Sequence, residues 1–295
     1  PGENQSSSPQ ATEPADDVEI SEEPHGLEIV GAVEQKFWEP LTDEVHQQSI
    51  SELKTFGGEV AGKLNVDLQH FETQYFLFYT DIDMVQAHKW AGLLDRMYNK
   101  LCAMFAIEKG TNIWRGKAIV FVFEHKGDYH LFQKTFHNTD AVNTIGMCHT
   151  YGTGEVNIAF HRPSDDARFA AVLVHESVHG FLFRYRSPVN PVSWVDEGLA
   201  ETIAEQLVPE SRSVHRREQF AKEQLRSRGN LGDKFFTRPH LENWQYGVAS
   251  SLTKFMIKQD RRRYVAFING IKDGMTSTES LEKNYGVPVD KLVYY

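Results

Sequence analysis

Two rhythms of apolar and polar positions run along the chain, one with the period of a strand and one with that of a helix. Residues 73–80 (Thr-Gln-Tyr-Phe-Leu-Phe-Tyr-Thr) are rich in aromatic side chains and predict a strand. After Asp81, residues 84–107 set Trp90, Leu93, Leu94, Met97, Leu101 and Met104 near helical spacing. A short, very apolar strand follows at 117–124, then a short helix at 129–136. Strand, helix and strand joined by a crossover of this length predict a mixed sheet with helices packed on it. Upstream, residues 42–56 read as a helix stopped by Gly57-Gly58.

Thr150-Tyr151 and the run Val156-Asn157-Ile158-Ala159-Phe160 flank Gly152-Thr153-Gly154-Glu155, the pattern of a hairpin. The Gly-x-Gly there lacks the third glycine and the following helix of a nucleotide loop. A strand delivered at this point forms an exposed sheet edge, able to pair with an extended peptide. His161-Arg162-Pro163 ends it, and Ser164 or Asp165 caps the next helix. In that helix, residues 167–186, the side chains Phe169, Val172, Leu173, Val174, Val178, Phe181 and Leu182 cover most of the circumference, so the helix is buried.

A rigid loop, Ser187-Pro188-Val189-Asn190-Pro191, leads to a second helix with Ser193 as its N-cap and Asp196 three residues on. Gly198 inside it costs about 1 kcal/mol relative to alanine, which is explained if this helix must press against a neighbour. Beyond Val208 the chain reads as helical, with an amphipathic helix at 244–257 and a closing one at 279–285 capped by Thr278. Gly286 stops that helix, and another begins near Val289. The expectation is an α+β domain over 66–295: a mixed twisted sheet with an edge strand over one buried helix, then a helical C-terminal half.

The first 25 residues combine Ser6-Ser7-Ser8, four prolines and many acids with almost no large apolar side chains, and predict a flexible leader. Residues 26–65 pack on the domain or lead into it. A leader of this composition, in a chain that starts at Pro1, suits the tether behind a secretory signal, so a secreted, periplasmic or cell-surface-tethered protein is expected. The longest apolar runs are six residues, against the roughly 20 needed to cross a bilayer, so no transmembrane segment is expected.

The net charge of −10 disfavours nucleic acid and anionic membranes as partners. Arg216, Arg217, Lys222, Arg226 and Arg228 are interleaved with Glu218 and Glu223 and read as a solvated face, as does Arg261-Arg262-Arg263. Cys102 falls in an apolar helical pattern and Cys148 beside His149, without C-x-x-C spacing, so thiolate zinc ligation is not expected; their pairing is left open.

The chemistry lies in His175-Glu176-Ser177-Val178-His179. Positions four apart on a helix share a face, so two imidazoles can converge on one ion. Zinc takes such nitrogens at about 2.0–2.1 Å and keeps one of four positions for water at catalytic sites. Glu176 projects beside that position, where a carboxylate can take a proton from water. The bland alternative is a pair of helical histidines satisfied by hydrogen bonds. Against it, an ionisable trio inside an oily helix costs several kcal/mol unless compensated, and a metal would compensate it. Glu197 is the candidate third ligand. Glu201, one turn on, can accept the outer N–H of a liganding histidine and set its tautomer. As a bland alternative, both are ordinary first-turn acids.

His175-Glu-Ser-Val-His179 followed by Trp194-Val-Asp-Glu197-Gly-Leu-Ala-Glu201 resembles the gluzincin metallopeptidases, the superfamily of thermolysin-like and aminopeptidase N-like enzymes. It is particularly similar to short bacterial, often secreted peptidase-like domains carrying H-E-x-x-H and W-x-x-E-G-L-A-E. The resemblance covers about a third of the chain, near residues 154–257. It implies a zincin-like fold, a peptide or protein substrate, Zn2+ on His175, His179 and Glu197, Glu176 as general base, and Glu201 supporting the first histidine. It also implies an oxyanion donor from a later helix, Tyr246 or else His240, with a core tyrosine as the bland alternative for Tyr246. Gly146-Met147-Cys148-His149 departs from the aminopeptidase Gly-x-Met-x-Asn anchor, which points away from recognition of a free N-terminus. Two other readings stay open: a gluzincin-fold binding module that cuts nothing, and a structural zinc closed by His149 or His161 as fourth ligand.

Overall fold

The computed structural model describes residues 37–232 and 234–294. The expected leader over 1–25 and the start of the 26–65 segment lie outside the described residues. Five strands form one mixed sheet in the order β1-β2-β3-β5-β4. They are β1 (Gln69–Glu72), β2 (Phe76–Thr80), β3 (Ala118–Phe123), β4 (Gly146–Thr150) and β5 (Val156–His161). The central three are parallel, while β1 and β4 run antiparallel at the two edges; the strand ending at His161, expected at an exposed edge, is instead interior, because β4 pairs along its outer side. β2 and β3 are buried at every position, as parallel strands covered on both faces must be.

Alternation along these strands splits the interior into two layers. Phe76, Phe78, Val120, Val122, Ile158 and Phe160 face the helices α2 (Met84–Met104) and α4 (Asp166–Arg184). Leu77, Tyr79, Ile119, Phe121 and Ala159 face α1 (Asp43–Leu64) and α3 (Lys126–His137). The rest of the chain is helical: α5 (Ser193–Leu207), α6 (Ser213–Arg228), α7 (Asn243–Gln259), α8 (Arg261–Lys272) and α9 (Ser277–Tyr285). The molecule is thus α+β, and among the described residues no helix is long and apolar enough to cross a membrane.

Several local expectations are corrected. Gly57-Gly58 does not break the first helix, which continues to Leu64 and stops at Asn65 in the left-handed region. Gly57 serves close approach instead: a Cβ there would lie 2.1 Å from the ring of Tyr79. The strand expected from Thr73 begins at Phe76, because the Thr73 hydroxyl accepts from the amides of Tyr75 and Phe76 and turns the chain out of a short strand, β1, that the sequence did not announce. Ser193 is the first residue of α5 and not its cap; the cap position is Val192, and the Ser193 hydroxyl donates to the carbonyl of Pro239. α9 starts from Thr276, in a capping box with Glu279, two residues before the expected cap. The last expected helix is a 3-10 turn, Val289–Tyr294. Asp165, one of the two expected caps of α4, accepts from the amide of Arg168. Both cysteines are buried and free.

Candidate metal centre

α4 runs beneath β4 and against α5, and sixteen of its nineteen residues are buried. Each large apolar side chain so covered is worth about 1.5–3 kcal/mol, which lets the helix carry polar groups inside. His175, Glu176 and His179 are 2 %, 1 % and 5 % exposed. α5 supplies Glu197 and Glu201 to the same point because it lies close on α7: a Cβ on Gly198 would meet the Thr253 hydroxyl at 2.3 Å and the Ala249 carbonyl oxygen at 2.7 Å. The close packing expected of Gly198 is therefore present.

His175 Nε2 lies 3.1 Å from His179 Nε2 and 3.1 Å from Glu197 Oε2, and His179 Nε2 lies 3.5 Å from the same oxygen. Ligands about 2.05 Å from a tetrahedral zinc stand about 3.3 Å apart, so this triangle has the dimensions of three corners of that shell. His175, His179 and Glu197 form a buried group that can hold a metal ion.

The outer nitrogens fit the same purpose. His175 Nδ1 is 3.0 Å from Glu201 Oε1, and His179 Nδ1 is 3.1 Å from Asp196 Oδ2. A carboxylate at each Nδ1 holds the proton there and turns the Nε2 lone pair inward. Three lone-pair atoms then face one another in a buried space, with Glu197 Oε2 lacking a hydrogen-bond donor, and a cation is what such a donor set fits. In the metal-free protein, protons take that part. Burial opposes charge on His175, but the hydrogen bonds that the protonated ring donates to the carboxylates of Glu197 and Glu201 outweigh it and raise its pKa to about 9. His179 is raised too, Asp196 and Glu197 overcoming the burial, and Glu197 is held well below the carboxylate range against its own burial by His179 and His175.

Two members of this arrangement escaped the sequence reading. Arg217 belongs to a stretch expected to be a solvated basic face, yet it is buried, with Nη1 2.5 Å from Glu201 Oε1. Its neighbours were the signal: Val214, Arg217 and Ala221 form an inward stripe at helical spacing. Asp196 read as part of a capping motif. Consecutive helical residues diverge by about 100°, and this lets Asp196 reach His179 while Glu197 faces the ion position.

Glu176 Oε2 is buried without a hydrogen-bond partner. Its charge acts on Tyr129, Cys148 and Tyr246. Tyr246, on α7, is buried near enough to feel Glu197, Arg217, Glu201 and Glu176, and burial first, then Glu197, keeps its phenol protonated. His240 is exposed in the loop before α7. His149 and His161 are not in the ligand group. Cys148 faces α4, 3.4 Å from where a Gly180 Cβ would stand, so the next residue of the strand, His149, turns to the opposite face, where it bonds Gln133 and stacks on His137 at 3.6 Å. His161 packs on Tyr129, and burial lowers its pKa to about 4. No protein-family model matches this chain, and no match is found among curated proteins.

Proposed function

We propose that the protein is a zinc-dependent peptidase with a zincin-like domain over 66–295, acting on a peptide or protein substrate. The observation that carries this reading is the buried triangle of His175, His179 and Glu197, together with the buried Glu176, the residue after His175 on α4, whose Oε2 has no hydrogen-bond partner. A zinc ion held by those three residues supplies Lewis acidity, lowering the pKa of water toward about 7 and polarising a carbonyl. Glu176 accepts a proton from the attacking water as the new C–O bond forms, then delivers it to the amine nitrogen as the C–N bond breaks. Tyr246, protonated, donates to the carbonyl oxygen as it gains charge. Glu201 and Asp196 hold the imidazoles in register, and β4, an edge of the sheet beside α4, offers backbone groups to an extended chain. A leader rich in serine, proline and acids fits a secreted, periplasmic or surface-tethered enzyme, and the net charge of −10 fits one that does not bind nucleic acid.

The test is zinc-loaded protein against a broad library of unstructured peptides, beside Glu176→Gln. The expected result is cleavage by the parent, and in the variant one bound zinc with hydrolysis reduced about 10²–10⁴-fold. Undiminished hydrolysis by the variant refutes the role of Glu176, and absence of any cleavage by the zinc-loaded parent refutes the peptidase reading.

A further inference from the structure

β1 closes one side of the sheet, and among the described residues no strand pairs with its outer side. The other edge strand, β4, is covered: Gly146, Met147 and Cys148 are buried, whereas Gln69, His70 and Glu72 of β1 are exposed. Sheets protect an open edge with lysine, proline or a bulge, and Gln69-His70-Phe71-Glu72 has none of these. Both faces of the edge are braced. His70 stacks on Tyr79, on the side of α1, and Phe71 stacks on Phe78 and, at 4.1 Å, on His88 of α2. In an antiparallel ladder, residues bonded to the neighbouring strand alternate with residues whose N–H and C=O point away from it. Thr73 donates its N–H to Phe76, the next pair along the register of β1 and β2. Phe71, two residues back, therefore also turns to β2, and His70 and Glu72 turn their amides and carbonyls outward. Glu72 stands there as a carboxylate, its pKa lowered by Lys54 and Lys117 against its partial burial.

We infer that β1 pairs with β1 of a second copy of this chain, antiparallel about a two-fold axis at Phe71, joining two five-stranded sheets into one. An axis between two residues would set opposite faces of the sheets against each other, so it must fall on a residue. At Glu72 it places two carboxylates directly opposite, which is destabilising. At His70 it places two imidazoles opposite and calls on the amide of Leu68, which already donates to Val66. At Phe71 it sets His70 opposite the partner's Glu72 and Glu72 opposite the partner's His70, each pair exchanging two backbone hydrogen bonds and matching an imidazole with a carboxylate. Phe71 then meets the partner's Phe71 at the close spacing of a non-hydrogen-bonded pair, about 4.5 Å between Cα atoms. The start of the described chain is fixed at the other side of the sheet. Trp38 donates its indole N–H to the carbonyl of Phe183, and its ring lies 3.5 Å from where a Cβ on Gly154, between β4 and β5, would stand. The pairing does not depend on the metal centre.

Sedimentation equilibrium of the full chain, from about 1 µM to about 1 mM, reads the association. Salt of about 0.15 M screens the repulsion between two chains of net charge −10. The mass of the parent is expected to rise from one chain toward two across this range. His70→Pro removes an outward N–H and no bond to β2, a change that edge strands tolerate, and is expected to weaken the dimer tenfold or more. His70→Glu sets a carboxylate against the partner's Glu72 and is expected to do the same, while His70→Lys dimerises as the parent does. Residue 70 is exposed, and circular dichroism with thermal melting verifies the fold of each variant. Should His70→Pro not fold, His70→Glu beside His70→Lys decides alone. A parent that keeps the mass of one chain up to about 1 mM overturns the proposal, whatever else covers the edge. So does a dimer whose dissociation constant either folded variant, His70→Pro or His70→Glu, leaves unchanged, because it then forms in another register or elsewhere on the molecule.

Discussion

Replacing Gly198 with alanine adds one methyl group at the close crossing of α5 and α7 near the metal centre. The new Cβ would meet the Thr253 hydroxyl at 2.3 Å and the backbone oxygen of Ala249 at 2.7 Å, distances that real Cβ contacts do not show below 3.0 Å. Rotating Thr253 can relieve the first contact but not the second, so α5 must lift off α7 by at least about 0.3 Å, or about 0.7 Å if Thr253 stays in place. Overpacking of this kind costs about 1–3 kcal/mol, offset by about 1 kcal/mol because alanine suits a helix better than glycine. The net expectation is a metal-free protein destabilised by up to about 2 kcal/mol. Glu197 is the adjacent residue and moves with the backbone, whereas ligand distances must hold to about 0.2 Å. Zinc affinity should therefore fall about 10–100-fold, the range seen when the support of a metal ligand is disturbed. Urea unfolding of the metal-free variant and competition with a zinc chelator measure the two effects separately. A variant as stable as the parent and binding zinc as tightly would refute the argument that close packing of α5 on α7 delivers Glu197.

Glu201→Gln should weaken zinc binding about 10–100-fold and also destabilise the fold by about 3–5 kcal/mol, because Arg217 is left as a buried charge with no acid. Adding Arg217→Leu should restore urea stability but not zinc affinity; recovery of both would mean that Glu201 does not orient His175. Zinc binding should release protons, since both imidazoles have raised pKa values in the metal-free protein, His175 to about 9 and His179 also upward. Zinc affinity should then climb between pH 7 and 9 by up to a hundredfold per pH unit, if two protons leave. The stabilising contribution of His175 to the metal-free fold, fully present below pH 6.5, should fade as pH rises through about 9, and that of His179 should fade as pH rises through its own raised pKa. Calorimetry in buffers of different ionisation enthalpy reads the released protons, and a heat independent of buffer would contradict the linkage. Tyr246→Phe should lower kcat about 10²–10³-fold with KM and zinc content nearly unchanged; an unaltered kcat would make it a core residue only.

The sequence by itself determined most of the elements and which side chains share a face within each. A strand of six apolar residues, the buried helix carrying His175 and His179 four apart, and the hairpin around Gly152 and Gly154 follow from periods of two and 3.6. So does the pairing of two imidazoles on one face, because four residues make about one turn. Tertiary structure decided everything that depends on which face meets which. It set a helix through Gly57-Gly58, because the ring of Tyr79 fills the space a side chain would need. It turned Arg217 inward to Glu201 and Asp196 toward His179, and sent His149 to the far side of the sheet. The physical reason is one of range: hydrophobic period and capping act over a few residues and are written in order along the chain. A buried ion pair or a carboxylate behind an imidazole joins groups on separate helices, and its partner is known only once those helices have packed.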